Sequence, residues 1–283
     1  MPHEPITGLS AIAAGYDALL CDVWGVLHNG VRAHEGAAEA LSRFRTHGPV
    51  ILITNAPRPS GPVVEQLDSF GIPREAYDAI VSSGDVVRAW LVGEGVRRVY
   101  HIGMERDLPL YEGTDIVVVD APEEAELAVI AGPRDDMRES AEDYRDELSR
   151  LVALGLRLAC ANPDIVVERG GVLLPCAGAL GLLAEELGGT VLQFGKPHAP
   201  IYEKALGEVR KRAPEARRAL VVGDGLPTDI TGANRHGFDA LFITDGIHAE
   251  EVGVRGAPDP VRVAALLEAR ALMARHVATR LVW

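Results

Sequence analysis

The sequence predicts an α/β protein: a doubly wound parallel sheet into which a second, smaller α/β domain is inserted. Three observations carry this expectation. Short apolar runs rich in Val, Ile and Leu alternate with helical patterns at both ends of the chain, as buried parallel strands and their crossovers require. The middle third has β and α patterns of its own. The chain has 283 residues, 47% hydrophobic and 24% charged, enough for two modest domains and unlike a disordered composition.

Taken in order, residues 18–23 and 50–54 read as buried strands with a helix over 36–46 between them, a βαβ unit. The same signature returns late, with strands at 219–223 and 240–244 and a helix starting over 228–236. The two ends of the chain are thus parts of one sheet. Between them lie strand candidates at 98–102, 116–119, 127–131 and 156–160 and a long charged helix over 134–154. Ser82, Ser83 and Gly84 suit an outgoing hinge, and Gly188, Gly189 and Gly195 a return. The expected division is a core of residues 1–84 and 194–283 with an inserted domain of 85–193. Repeats and low-complexity tracts are absent, and residues 261–282, rich in Ala, Leu and Arg, suit a packing helix.

Charge narrows the partners. Lys and Arg number 28 against 41 Asp and Glu, a formal charge of −13, which repels nucleic acid and anionic membrane surfaces. Residues 1–10 lack the basic start and apolar stretch of a signal peptide, and no run reaches the length of a membrane span, so a cytoplasmic protein is expected. Cys21, Cys160 and Cys176 are odd in number and far apart, which suits small buried hydrophobes and neither a disulfide framework nor a zinc knuckle.

Four runs carry chemistry. Asp22-Val23-Trp24-Gly25 puts a carboxylate and a Gly turn at the end of the first strand, where doubly wound sheets bind ligands; alone, such an Asp suits a helix cap as well as a catalyst. The second strand ends in Thr54 and Asn55, whose hydroxyl and amide can donate to a phosphoryl oxygen but also commonly end strands. Gly195-Lys196-Pro197 places a cation in a rigid setting, although Lys is usually a solvated surface residue. Gly223-Asp224-Gly225 and Asp229 present two carboxylates five residues apart around a Gly-containing turn, a donor set that suits Mg²⁺.

In this order, each after a strand, the four runs resemble the four motifs of the haloacid dehalogenase (HAD) superfamily. The resemblance spans residues 22–229. It implies Asp22 as nucleophile, Thr54 and Lys196 as catalytic residues holding the transferring phosphoryl group, and Mg²⁺ held by Asp22, the backbone carbonyl of Trp24, Asp224 and Asp229. It also implies a HAD-like, Rossmannoid core with an inserted cap. Ala161-Asn162-Pro163-Asp164, then Pro175-Cys176-Ala177-Gly178, then Gly195-Lys196-Pro197, is similar to the branch with a class IIA α/β cap. That branch includes nitrophenyl phosphatases, ribonucleotide monophosphatases of the NagD kind, and pyridoxal and phosphoglycolate phosphatases. The implied activity is Mg²⁺-dependent hydrolysis of a small phosphorylated metabolite through an aspartyl phosphate, with Asn55, Gly25, Asn162 and Asp164 binding substrate and a homodimer formed through the cap.

One position departs from the pattern. Most phosphatases of the superfamily carry a second Asp two residues after the nucleophile as general acid and base, and here that residue is Trp24. General acid–base catalysis is worth roughly 10²- to 10⁴-fold. C-halide hydrolases of the superfamily have an aromatic residue there, which keeps dehalogenation as an alternative; a weakened protein that only binds a phosphorylated metabolite is another. The paired acids Asp224 and Asp229 favour the phosphatase. Among other residues, His28 and Asn29 follow the nucleophile loop, Arg58 and Arg134 could reach an anionic substrate tail, and His198 could assist the missing acid, although each type is as commonly an ordinary loop or surface residue.

Overall fold

The computed structural model describes residues 4–283. The chain builds β1 (Ala18–Asp22), α1 (Ala37–Phe44), β2 (Val50–Thr54), α2 (Ser60–Ser69), β3 (Ala79–Ser82) and α3 (Ser83–Gly93). It then builds β4 (Arg98–Ile102), β5 (Val117–Val119), β6 (Leu127–Ile130), α4 (Arg145–Ala153), β7 (Leu158–Cys160), the hairpin β8 (Val166–Arg169) and β9 (Val172–Pro175), α5 (Ala177–Glu186) and β10 (Val191–Gln193). The last part comprises α6 (Ala199–Arg212), β11 (Ala219–Gly223), α7 (Thr231–Arg235), β12 (Asp239–Ile243), α8 (Ala249–Val252), β13 (Gly253–Val254), β14 (Ala257–Pro258), α9 (Pro260–Ala269) and β15 (His276–Ala278).

Two parallel sheets result. The larger runs β15-β12-β11-β1-β2-β3, the doubly wound order in which the strand sequence reverses between β1 and β11. The smaller runs β10-β7-β6-β4-β5, a second doubly wound sheet formed wholly between β3 and α6. β1 and β2 are buried at every position because helices cover both faces, so their sequences are continuous apolar runs rather than alternations.

Three apolar clusters fill the molecule. One lies on the outer face of the larger sheet and includes Leu19, Leu41, Phe44 and Leu52. Another lies on the far face of the smaller sheet, around Ile130, Leu148 and Leu180. The third joins the sheets: Leu20 and Ile53 of the larger, Val99 and Val129 of the smaller, and Val86, Val87 and Leu91 of α3 belong to one buried group.

Three segments differ from the sequence expectation. The charged stretch 134–154 is helical only over α4, preceded by a short 3₁₀ turn at Ala141–Tyr144; Asp135, Glu139 and Asp143 spend their side chains on the backbone amides of Met137, Asp135 and Ser140 and so compete with helix formation. Residues 261–282 are helical only to Ala269, after which the chain turns and adds β15 to the edge of the larger sheet. Ser82 to Gly84 are not a loose link. Ser82 caps α3 through a reciprocal capping box, Asp85 N–H donating to Ser82 Oγ (2.9 Å) and Ser82 N–H to Asp85 Oδ2 (3.3 Å).

Candidate active site

At a reversal of strand order, the connections leave on opposite faces of the sheet and a crevice opens beyond the carboxyl ends of the two strands. β1 ends there in Asp22, and Asp224 follows β11. Register places Asp22 level with Ile53, one residue before Thr54. Two glycines let the surrounding loops close on Asp224. A Cβ at Gly25, whose φ is +84°, would stand 2.2 Å from Asp224 Oδ2, and one at Gly246 would stand 2.0 Å from it.

The charged groups form one connected set. Lys196 Nζ donates to Asp22 Oδ1 (2.5 Å) and to Asp229 Oδ1 (2.7 Å), with all three side chains buried. Asp22 Oδ2 has no hydrogen-bond partner among the described residues. Asp229 Oδ2 accepts from Gly225 N–H (3.1 Å), and Asp224 Oδ2 from Ile247 N–H (2.8 Å). Asn55 locks the neighbouring loop: its Oδ1 accepts from Lys196 N–H (2.7 Å), while its Nδ2 donates to the Lys196 carbonyl (3.1 Å) and to Asp164 Oδ1 (2.9 Å). Thr54 Oγ1 accepts from Ala56 N–H (3.2 Å), which leaves its own hydrogen free to donate.

Burial, then the charge of Asp229, pushes the Asp22 carboxyl well above the usual carboxylate range, and the same two causes lift Asp224 to about 7. Burial alone would lower the Lys196 ammonium, but Asp22 and Asp229 outweigh it and hold the group above its ordinary value. One cation therefore faces three buried carboxylates. Each of Asp22, Asp224 and Asp229 offers an oxygen within 4.8 Å of the others. An all-oxygen set with excess negative charge fits a hard divalent cation such as Mg²⁺.

A cavity of about 440 Å³ opens over these groups. Asp22, Gly25, Thr54, Asn55, Asp164 and Lys196 line it, with Asp224 and Asp229. Its roof is Val166, Val167 and Glu168 of β8, from the β8–β9 hairpin of the smaller sheet's segment, which is pinned to the core at two points. Trp24 Nε1 donates to the Glu168 carbonyl (2.7 Å), and Arg255 Nη2 meets the Glu168 carboxylate at 3.2 Å. Trp24 thus contributes its ring to the wall and its N–H to the roof.

Other residues sit less directly over the chemistry. Gly25 N–H donates to the His28 carbonyl (2.8 Å) and has no hydrogen left for a phosphoryl oxygen. Asn162 lies on the wall of a neighbouring smaller cavity, its Oδ1 closing a turn with Asp164 N–H (3.0 Å). Arg134 forms a bidentate pair with Glu147, and His198 lines the main cavity at the start of α6. The sequence reading passed over the loop after β12, where Asp245 lines the cavity and Ile247 holds Asp224. Its signal was present: Asp245-Gly246 repeats the strand-end carboxylate and glycine seen at Asp224-Gly225.

The chain is similar to known proteins over most of its length. A family profile described as haloacid dehalogenase-like hydrolase matches residues 19–116, and a HAD-hydrolase-like profile matches 193–269. The crystal structure of a haloacid dehalogenase-like hydrolase from Brucella suis is 42% identical, with 97% of this chain and 99% of that one covered and a TM-score of 0.85. Ribonucleotide monophosphatase NagD of Escherichia coli is 28% identical over 81% of this chain and 88% of its own. A glycerol phosphate phosphatase from Mycobacterium tuberculosis, solved with magnesium, is 27% identical over 89% of this chain and 74% of that one, with a TM-score of 0.66.

Proposed function

The chain belongs to the haloacid dehalogenase-like hydrolases, and from that premise we propose that it is a cytoplasmic, Mg²⁺-dependent phosphatase acting on a small phosphorylated metabolite. The observation that carries this reading is the buried set of Asp22, Asp224 and Asp229 with Lys196 between two of them, at the strand reversal beside Thr54. Bound Mg²⁺, held by Asp22, Asp224, Asp229 and the Trp24 carbonyl, would neutralise charge on the phosphoryl oxygens.

The chain's own residues then do the following. Lys196 holds Asp22 Oδ1, which fixes the carboxylate and leaves Oδ2 as the attacking atom. Attack on phosphorus forms an aspartyl phosphate as the bond to the leaving oxygen breaks and that oxygen takes up a proton. Water then attacks the phosphorus, releasing inorganic phosphate and restoring Asp22. Thr54 Oγ1 and Lys196 Nζ donate to the phosphoryl oxygens. The roof formed by residues of the 85–193 segment excludes water, with residues 1–84 and 194–283 as the core it closes on. Both relatives with named activities act on phosphoric monoesters by name, which supports the reading. A dimer through the cap belongs to the same proposal: β5 is an edge strand that leaves Val117 and Val118 exposed.

Incubation with panels of phosphorylated metabolites and of haloacids, with Mg²⁺ or EDTA, tests this. Phosphate release that needs Mg²⁺, and that Asp22→Asn abolishes while the fold is retained, is the expected result. Wild-type-like turnover by Asp22→Asn would sink the mechanism. Halide release that persists in EDTA would establish the dehalogenase, which Trp24 alone favours, and tight binding without turnover would establish a metabolite-binding protein.

A further inference from the structure

Beside the main cavity lies a second one of about 250 Å³, and Trp24, Thr54, Asp164 and Val167 stand in the walls of both. Three arginines line it. Two are held within the protein by one shared acid, Arg106 Nη2 (3.0 Å) and Arg169 Nη2 (3.1 Å) both reaching the Asp136 carboxylate. The third, Arg58, is different. It is half-buried, and among the described residues its guanidinium makes neither a hydrogen bond nor an ion pair. Asp107, the acid whose charge most affects it, is more than 4.0 Å away and accepts instead from Met104 N–H (3.2 Å).

Behind the same wall the packing is closed, and the unpaired donor there does not reach the cavity. His28 is fully buried, with its ring against Trp24 and Phe70. Gly30 N–H donates to its Nδ1 (3.0 Å), so in the neutral ring Nδ1 is the acceptor and Nε2 carries the hydrogen. That Nε2–H is buried without a partner. A half-buried guanidinium that no acid among the described residues holds is costly and persists where an acceptor from outside completes it. The required acceptor is an anion, and the shared wall at Thr54 puts it one small molecule away from the phosphoryl site.

Building on the phosphatase reading, we propose that this second cavity binds an anionic group, a carboxylate or a second phosphate, carried on the leaving group of the substrate, with Arg58 as its main ligand. Arg58 is thus a specificity-determining residue, and the preferred substrate is a phosphate monoester with a further negative charge a few atoms from the ester oxygen.

Two matched pairs test this. 3-Phosphoglycerate differs from glycerol 3-phosphate by a carboxylate, and fructose 1,6-bisphosphate from fructose 6-phosphate by a phosphate; together they separate the two anions. The ratio of kcat/KM within at least one pair should exceed about tenfold in favour of the doubly anionic member. Arg58→Ala should bring that ratio close to one, and Arg58→Lys, which keeps a charge but not the planar fork, should leave an intermediate value. Calorimetric Kd values for the same compounds on Asp22→Asn and on Asp22→Asn with Arg58→Ala repeat the comparison without turnover. If no phosphate ester is hydrolysed but the Kd ratio follows Arg58, the phosphatase reading falls and the subsite stands. A ratio near one in both pairs, or one that Arg58→Ala leaves unchanged, overturns the subsite while leaving the phosphatase reading intact.

Discussion

Trp24 stands where a proton donor is expected and supplies no acidic proton. A departing alkoxide must then be protonated by water or by a neighbour such as His198, whereas aryl and acyl phosphates leave as stabilised anions. Hydrolysis of 4-nitrophenyl phosphate should outpace that of simple alkyl phosphates by up to the roughly 10²- to 10⁴-fold of general acid catalysis. Trp24→Asp should narrow this margin, although it also removes the indole that holds the Glu168 carbonyl. The slope of rate against leaving-group basicity, compared between the two proteins, decides; equal shallow slopes would show that another group already serves as the acid. His28 gives a second prediction. Burial, helped by the charge of His34, lowers its pKa from 6.5 to about 4. Between those values the unfolded chain binds a proton that the native chain does not, so the contribution of His28 is fully present above pH 6.5 and is lost as pH falls toward 4. The full effect is about 3 kcal/mol. Urea unfolding at stepped pH should show stability falling over this window, less steeply in His28→Asn, and identical pH profiles would contradict the assignment.

At the scale of elements, the start of α3 sets the loop that carries Thr54 to Arg58. Gly84 lies in its first turn, where a Cβ would come within 2.4 Å of the Pro57 carbonyl oxygen and 2.5 Å of the Arg58 carbonyl carbon. Gly→Ala inside a helix ordinarily stabilises by up to about 1 kcal/mol. Gly84→Ala should instead cost roughly 1–3 kcal/mol, as overpacked sites do, and should lower turnover because the displaced backbone carries the Thr54 loop. A rise in the urea midpoint would refute this. Ser82→Ala should cost about 1 kcal/mol through the lost cap without moving that loop, so its stability falls while KM is held. The same elements show what the sequence made legible. Strand ends were readable because β1, β2 and β11 are apolar runs that stop at polar residues, and three of those residues meet at one crevice. The ends of helices were less so: a stretch such as 134–154 has helical composition, and only its side-chain bonds to backbone amides reveal where it refuses to coil. The roof contact of Trp24 and the unpartnered state of Arg58 depend on residues more than a hundred positions apart in the chain or on the absence of any partner, which no local pattern encodes.

At the scale of the whole molecule, the two sheets are distinct in hydrogen bonding but not in packing. α3 presents Val86, Val87 and Leu91 to a cluster that includes Leu20 and Ile53 on one side and Val99 and Val129 on the other. Opening of the roof is therefore expected to engage the β8–β9 hairpin and its ties at Glu168 more than a wholesale separation of sheets, and loss of the Arg255 pair should loosen it: Arg255→Ala should raise hydrogen exchange in residues 165–176 and leave β4 and β6 protected. Exchange that rises equally in all of them would show the sheets moving apart as bodies. The shared cluster has a further consequence for heat. Two bodies with separate cores melt in separate steps, whereas one continuous core ties their fates together. Differential scanning calorimetry should record a single endotherm whose calorimetric and van't Hoff enthalpies agree, and the inserted segment should behave as a dependent lobe that cannot be exchanged between relatives as a cassette unless α3 and the residues that clasp it travel with it.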